Sequence, residues 1–141
     1  MTATHRRLAG LLTAVALATT AALVPASASA QAAYTGTHLH ARMSSTSTYP
    51  HCYGGVWYES HHGWREFEIT LHGISGLNGK RLTVRVHGDV VGQMLVHSGY
   101  AHMDRHTGLP TMAAGNWVRV RTGSGTLVSA GQLRSMHHHM M

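Results

Sequence analysis

Residues 66–72 read EFEITLH, in which Phe67, Ile69 and Leu71 alternate with Glu66, Glu68, Thr70 and His72. A period of two sends apolar side chains to one face of a strand and polar ones to the other, so this stretch is predicted to be a half-buried β-strand. RLTVRVH repeats the pattern, with Leu82, Val84 and Val86 set against Arg81, Thr83, Arg85 and His87. VVGQMLVH, YAHMDRH, NWVRVRT and TLVSAGQL follow the same grammar between glycine-bearing turns, and an earlier strand is expected near residues 56–59. No stretch beyond residue 30 has a helical period. Short strands joined by close, glycine-rich turns predict an all-β chain, a small antiparallel β-sandwich or barrel-like sheet.

Between the two clearest strands lies Asn78-Gly79, the strongest short hairpin signal a sequence offers. A two-residue turn there pairs Leu77 with Lys80, Leu71 with Val86 and His72 with Arg85, and both apolar sets then fall on the same side. These two strands are therefore expected to form a hairpin. By the same logic Ser98-Gly99 pairs His97 with Tyr100.

The start of the chain follows a different grammar. Arg6 and Arg7 precede a mostly apolar stretch of Ala, Leu, Val and Thr, and Ala28-Ser29-Ala30 closes it with small residues. That is the layout of a secretory signal peptide cleaved after Ala30. Threonines and a glycine interrupt the stretch, which argues against a membrane anchor, and no later segment is apolar enough to span a bilayer. Residues 1–30 are thus expected to be a signal peptide and the product to be secreted. Residues 31–50, rich in Ser, Thr and Ala, are expected to form a flexible arm. Residues 51–134 are assigned to the sandwich, and residues 135–141 to a tail rich in His and Met. Removing 30 of the 141 residues leaves 111, enough for one small domain.

Beyond residue 30, nine Lys and Arg face five Asp and Glu, scattered without a basic run or a patterned aromatic strip. That balance argues against nucleic acid as a partner and fits loose attachment to an anionic envelope surface. Cys52 is the single cysteine, so no intrachain disulfide can form. In an oxidising compartment it is a buried thiol, a metal ligand or the link of a disulfide dimer.

The strand pattern LTVRVHG with VGQMLV and the ending DRHTGLPTMAAGNWVRVRTGSGTLVSAG resemble a group of small secreted bacterial β-sandwich proteins of unknown function, over about residues 65–133. The resemblance implies a fold. LHGISGLNGKRLTVRVHGD is also similar to copper-zinc superoxide dismutase, whose pattern needs two histidines flanking one residue on the strand. Arg85 stands where the partner of His87 would be, and one cysteine cannot supply that family's disulfide, so dismutase activity is not expected.

What sets this chain apart is its content of histidine and methionine, 14 and 8 residues. Imidazole is the commonest side-chain ligand for zinc, copper and nickel, and thioether sulfur favours Cu(I). In the predicted strand YAHMDRH, His102, Asp104 and His106 share one face at spacings of about 7 Å. The Ser98-Gly99 turn would set His97 diagonal to His102, giving His97, His102, Asp104 and His106 as one metal set. The Asn78-Gly79 hairpin would likewise set His87 diagonal to His72 as a second. His137, His138 and His139, flanked by Met136, Met140 and Met141, form a third in the tail. There is no glycine-flanked nucleophilic serine, phosphate loop or HExxH helix, and Glu66 and Glu68 read as solvating an exposed face, so no enzyme activity is expected. The expected function is secreted sequestration or buffering of copper or zinc ions. The alternative is a surface-interaction module whose histidines make it cationic, and hence adhesive to anionic envelopes, as pH falls.

Overall fold

In the computed structural model, residues 36–136 are described, and their order follows from the alternation. Nine strands run β1 (Thr37–Met43), β2 (Tyr53–His61), β3 (Trp64–His72), β4 (Arg81–Val86), β5 (Asp89–Leu95), β6 (Ala101–Arg105), β7 (Trp117–Thr122), β8 (Leu127–Gln132) and β9 (Arg134–Ser135). They form two antiparallel sheets, in the orders β6-β3-β2-β1-β9 and β5-β4-β7-β8. The architecture is an all-β sandwich, as the pattern predicts.

Every second residue of each long strand enters one shared core. Leu39, Ala41, Val56, Tyr58, Phe67, Ile69 and Leu71 come from the five-stranded sheet, and Leu82, Val84, Val86, Val118, Val120 and Val128 from the other. Met43, Met94, Met103 and Met112 are buried there too. Unbranched thioethers fill irregular gaps between β-branched neighbours, so these four methionines serve packing.

Three two-residue hairpins organise the strands. His62-Gly63, His87-Gly88 and Ser98-Gly99 each place two residues at positive φ, the signature of the type I′ turn that matches strand twist. The pairs His61 with Trp64, Val86 with Asp89 and His97 with Tyr100 close them. Two histidines are thereby accounted for as turn residues.

Two expectations need correction. Residues 36–50 are no loose arm: β1 pairs with β2 along its whole length and buries Leu39, Ala41 and Met43. Its apolar residues are small or few, yet their period of two gives β1 a core-facing edge that composition alone conceals. Residues 31–35 of the expected arm lie outside the described residues.

The second correction concerns Asn78-Gly79. Asn78 has φ −50° and ψ 132°, Gly79 has φ 78°, and the Lys80 N–H donates to the Leu77 carbonyl at 2.9 Å. This is a type II turn, which requires positive φ only at its third residue and splays the flanking strands instead of pairing them. The chain crosses here from one sheet to the other, anchored by buried Ile74 and Leu77 and by the Gly79 N–H donating to the Val96 carbonyl at 2.8 Å. β3 accordingly pairs with β2 and β6, and β4 with β5 and β7. The predicted pairs of Leu71 with Val86 and His72 with Arg85 do not form.

Candidate metal centre

The outer face of the five-stranded sheet gathers the chemistry. β1 contributes His38 and His40, β2 contributes Trp57, Glu59 and His61, β3 contributes Glu66, Glu68, Thr70 and His72, and β6 contributes His102 and Asp104. Four of the five acidic residues of the whole sequence stand here. Register sets them against each other: Glu59 lies directly opposite Glu66, and Glu68 directly opposite Asp104. Like charges at opposed positions destabilise a sheet. The face therefore favours cations, and histidines surround it.

His106, just past the end of β6, points its Nε2 at Asp104 Oδ1 (3.3 Å) and Glu66 Oε1 (3.9 Å). One ligand atom from each of these three residues falls within 4.8 Å of the other two. Tetrahedral zinc, with bonds of about 2.0–2.1 Å, spaces its ligand atoms by roughly 3.3–3.5 Å. The His106–Asp104 separation already matches, and the half-buried Glu66 and exposed Asp104 side chains need only a rotamer adjustment to close the rest. Trp64 flanks the imidazole with ring centroids 6.0 Å apart.

The remaining carboxylates hold histidines of their own. His38 Nδ1 lies 3.2 Å from Glu59 Oε1, and the Trp57 indole N–H donates to the same oxygen at 3.0 Å. The indole bond, with a smaller contribution from His38, holds the Glu59 carboxyl below its usual range against the opposing effect of partial burial. His102 Nδ1 is 3.2 Å from Thr70 Oγ1 and 3.8 Å from Glu68 Oε1.

Of the expected set His97, His102, Asp104 and His106, the structure brings together Asp104 and His106 and adds Glu66. His102 belongs to Glu68 and Thr70, and its ring stacks at 12° on Tyr100. His97 pairs with Tyr100 as expected, and its Nδ1 lies 3.2 Å from Ser98 Oγ. The expected pair of His72 and His87 is not formed. His72 ends β3 and packs between Tyr53 and Tyr100, whereas His87 sits in the β4–β5 turn, because their strands belong to different sheets. His137, His138 and His139 lie outside the described residues. Glu66 escaped sequence reasoning because its partner strand β6 is distant in sequence; the alternation placed Glu66 on the polar face and gave no hint of what stood beside it.

Cys52 is buried beside Ser129, and burial pushes its thiol above the ordinary range. A disulfide dimer through Cys52 would require that thiol to leave the core. Among the described residues no helix is long and apolar enough to cross a membrane. Among known proteins, no family model and no curated protein matches the chain.

Proposed function

We propose that this protein binds a divalent transition metal, zinc or copper, outside the cell through Glu66, Asp104 and His106, and serves in sequestration or buffering. The observation that carries the reading is the two like-charge rungs, Glu59 with Glu66 and Glu68 with Asp104, bordered by the imidazole of His106. A bound dication offsets the repulsion across these two rungs. His106 supplies a borderline nitrogen ligand and the two carboxylates supply charge, leaving coordination positions open to solvent or to a second histidine. Exposure of Asp104 and His106, with Glu66 half-buried, fits reversible exchange better than a buried structural site. Secretion, which the first 30 residues suggest, would place the protein where free metal must be held. The reading assigns binding and no turnover.

Native mass spectrometry of the chain titrated with Zn(II) and Cu(II) tests it. A variant with His137, His138 and His139 all replaced by Ala should retain one tight equivalent, and His106→Ala or Asp104→Asn should lose it. Glu66→Gln carries a sharper signature. Without metal it should stabilise the fold by a few tenths to about 1 kcal/mol, since it relieves repulsion with Glu59, and it should abolish stabilisation by zinc. Equal zinc uptake by all of these variants would sink the reading.

A second reading, attachment to an anionic envelope surface, rests on the opposite face. Arg85 lies directly opposite Arg119 on β4 and β7, with Arg81 and Arg121 close by, and no described Arg or Lys is ion-paired with a carboxylate. Attachment of this kind is arginine-driven, and His38, His102 and His106 on the other face already stand beside carboxylates. Binding to anionic vesicles should then fall with salt and change little between pH 5 and pH 8. A steep gain on acidification would restore the histidine-driven form of this reading.

A further inference from the structure

Where β1 leaves the five-stranded sheet, it reaches across to β8. Ser44 bridges to Ala130, and the Ser129 hydroxyl donates to the Ser44 carbonyl at 2.6 Å. Gly131 makes the contact possible, since a Cβ there would lie 2.5 Å from the Arg42 carbonyl oxygen. Beyond this touch point the two strands diverge and leave a cleft of about 310 Å³, lined by His40, Arg42, Arg134, Trp117 and Gln132 among others. That volume is at the lower end of the range typical of small-molecule sites, about 300–1,000 Å³.

The lining has one sign. No carboxylate contributes to it. Arg134 lies directly opposite His40 in register, and Arg42 follows two positions along β1 on the same face, so the two guanidinium groups flank one imidazole. Neither the Arg42 nor the Arg134 side chain forms a hydrogen bond or ion pair with another described residue. Across the cleft Trp117 is 43% exposed, and the Arg119 guanidinium lies 5.4 Å from the centre of its ring. Two guanidinium forks without a side-chain partner among the described residues, each matched to a carboxylate or phosphate, thus share a concave site with an exposed indole.

We infer that this cleft binds a small organic anion, a phosphate ester or carboxylate with a flat apolar body. The anionic group bridges Arg42 and Arg134, and the flat body rests against Trp117. The site uses none of Glu66, Asp104 and His106 and does not depend on the metal reading.

Phenyl phosphate titrated into the full chain tests this, followed by ¹H–¹⁵N spectra of the Trp117 indole and of the amides from Ala130 to Arg134. The expected result is saturable shifts at those signals, none with benzyl alcohol, and weakening of at least about tenfold for each of Arg42→Gln and Arg134→Gln. Both arginines are exposed, so the variants should retain the parent melting temperature, which is measured alongside. Inorganic phosphate should bind more weakly and leave the Trp117 indole signal in place. Undiminished binding to the double variant would overturn the inference, as would shifts that spread equally over Arg81, Arg85 and Arg121.

Discussion

At the scale of single residues, the informative groups are polar side chains whose partners come from neighbouring strands. Glu59 accepts from the Trp57 indole, and that bond is the main reason its carboxyl ionises more readily than usual. A carboxyl whose folded value is lowered contributes stability that is fully present above its unfolded value and is lost as pH falls through the folded one. Trp57→Phe removes the donor, so the Glu59 carboxyl should titrate closer to the ordinary glutamate range. The acid side of the stability profile should move to higher pH with it. Carbon-detected NMR titration of Glu59 reads the shift directly, and an unmoved carboxyl in the variant would rule the indole out as its cause. The alternation in the sequence already showed Glu66 and Glu68 to be outward-facing. It could not show that Glu59 opposes Glu66, because opposition is a property of register between strands.

At the scale of elements, strands were legible wherever large apolar residues alternated with polar ones, as in β3 and β4. β1 was not, because THLHARM buries one leucine, one alanine and one methionine among histidines and an arginine. Its place in the sheet comes from seven paired positions on β2, which no local property announces. Leu39→Ala should therefore cost about 2–5 kcal/mol, as for a core leucine. A flexible arm would lose nothing. Urea unfolding of the variant distinguishes the two, and a midpoint equal to that of the parent would return β1 to the status of an arm. The Asn78-Gly79 turn makes the complementary point. Its residues permit either a type I′ or a type II turn, and burial of Leu77 at the crossing between sheets selects the second.

At the scale of the molecule, the fold sorts its charges. Four of the five carboxylates and most described histidines share the outer face of one sheet, and Arg81, Arg85, Arg119 and Arg121 share the other, so net charge alone describes neither surface. Metal binding to the first face should register as stability of the whole sandwich. At a free concentration a hundredfold above Kd, a ligand that binds only the folded state adds about 2.7 kcal/mol. A rise of several degrees in Tm with Zn(II) is expected at pH 7.5, reversed by a chelator and much reduced at pH 5, where protons compete for imidazole. An unchanged Tm across that titration would leave the carboxylate rungs without a cation.

The sequence by itself determined that the described chain is all-β, which alternating positions of strands such as β3 and β4 enter the core, and where the Ser98-Gly99 turn lies, because period and turn chemistry are local properties of the chain. Tertiary structure alone decided that β3 pairs with β6 and not β4. Glu66 therefore meets Asp104 and His106, His72 is kept from His87, and Arg42 and Arg134 line one cleft beside β8. These are choices of strand partner, made by burial of apolar faces across the whole core, and residues distant in the chain become neighbours only once those faces have closed.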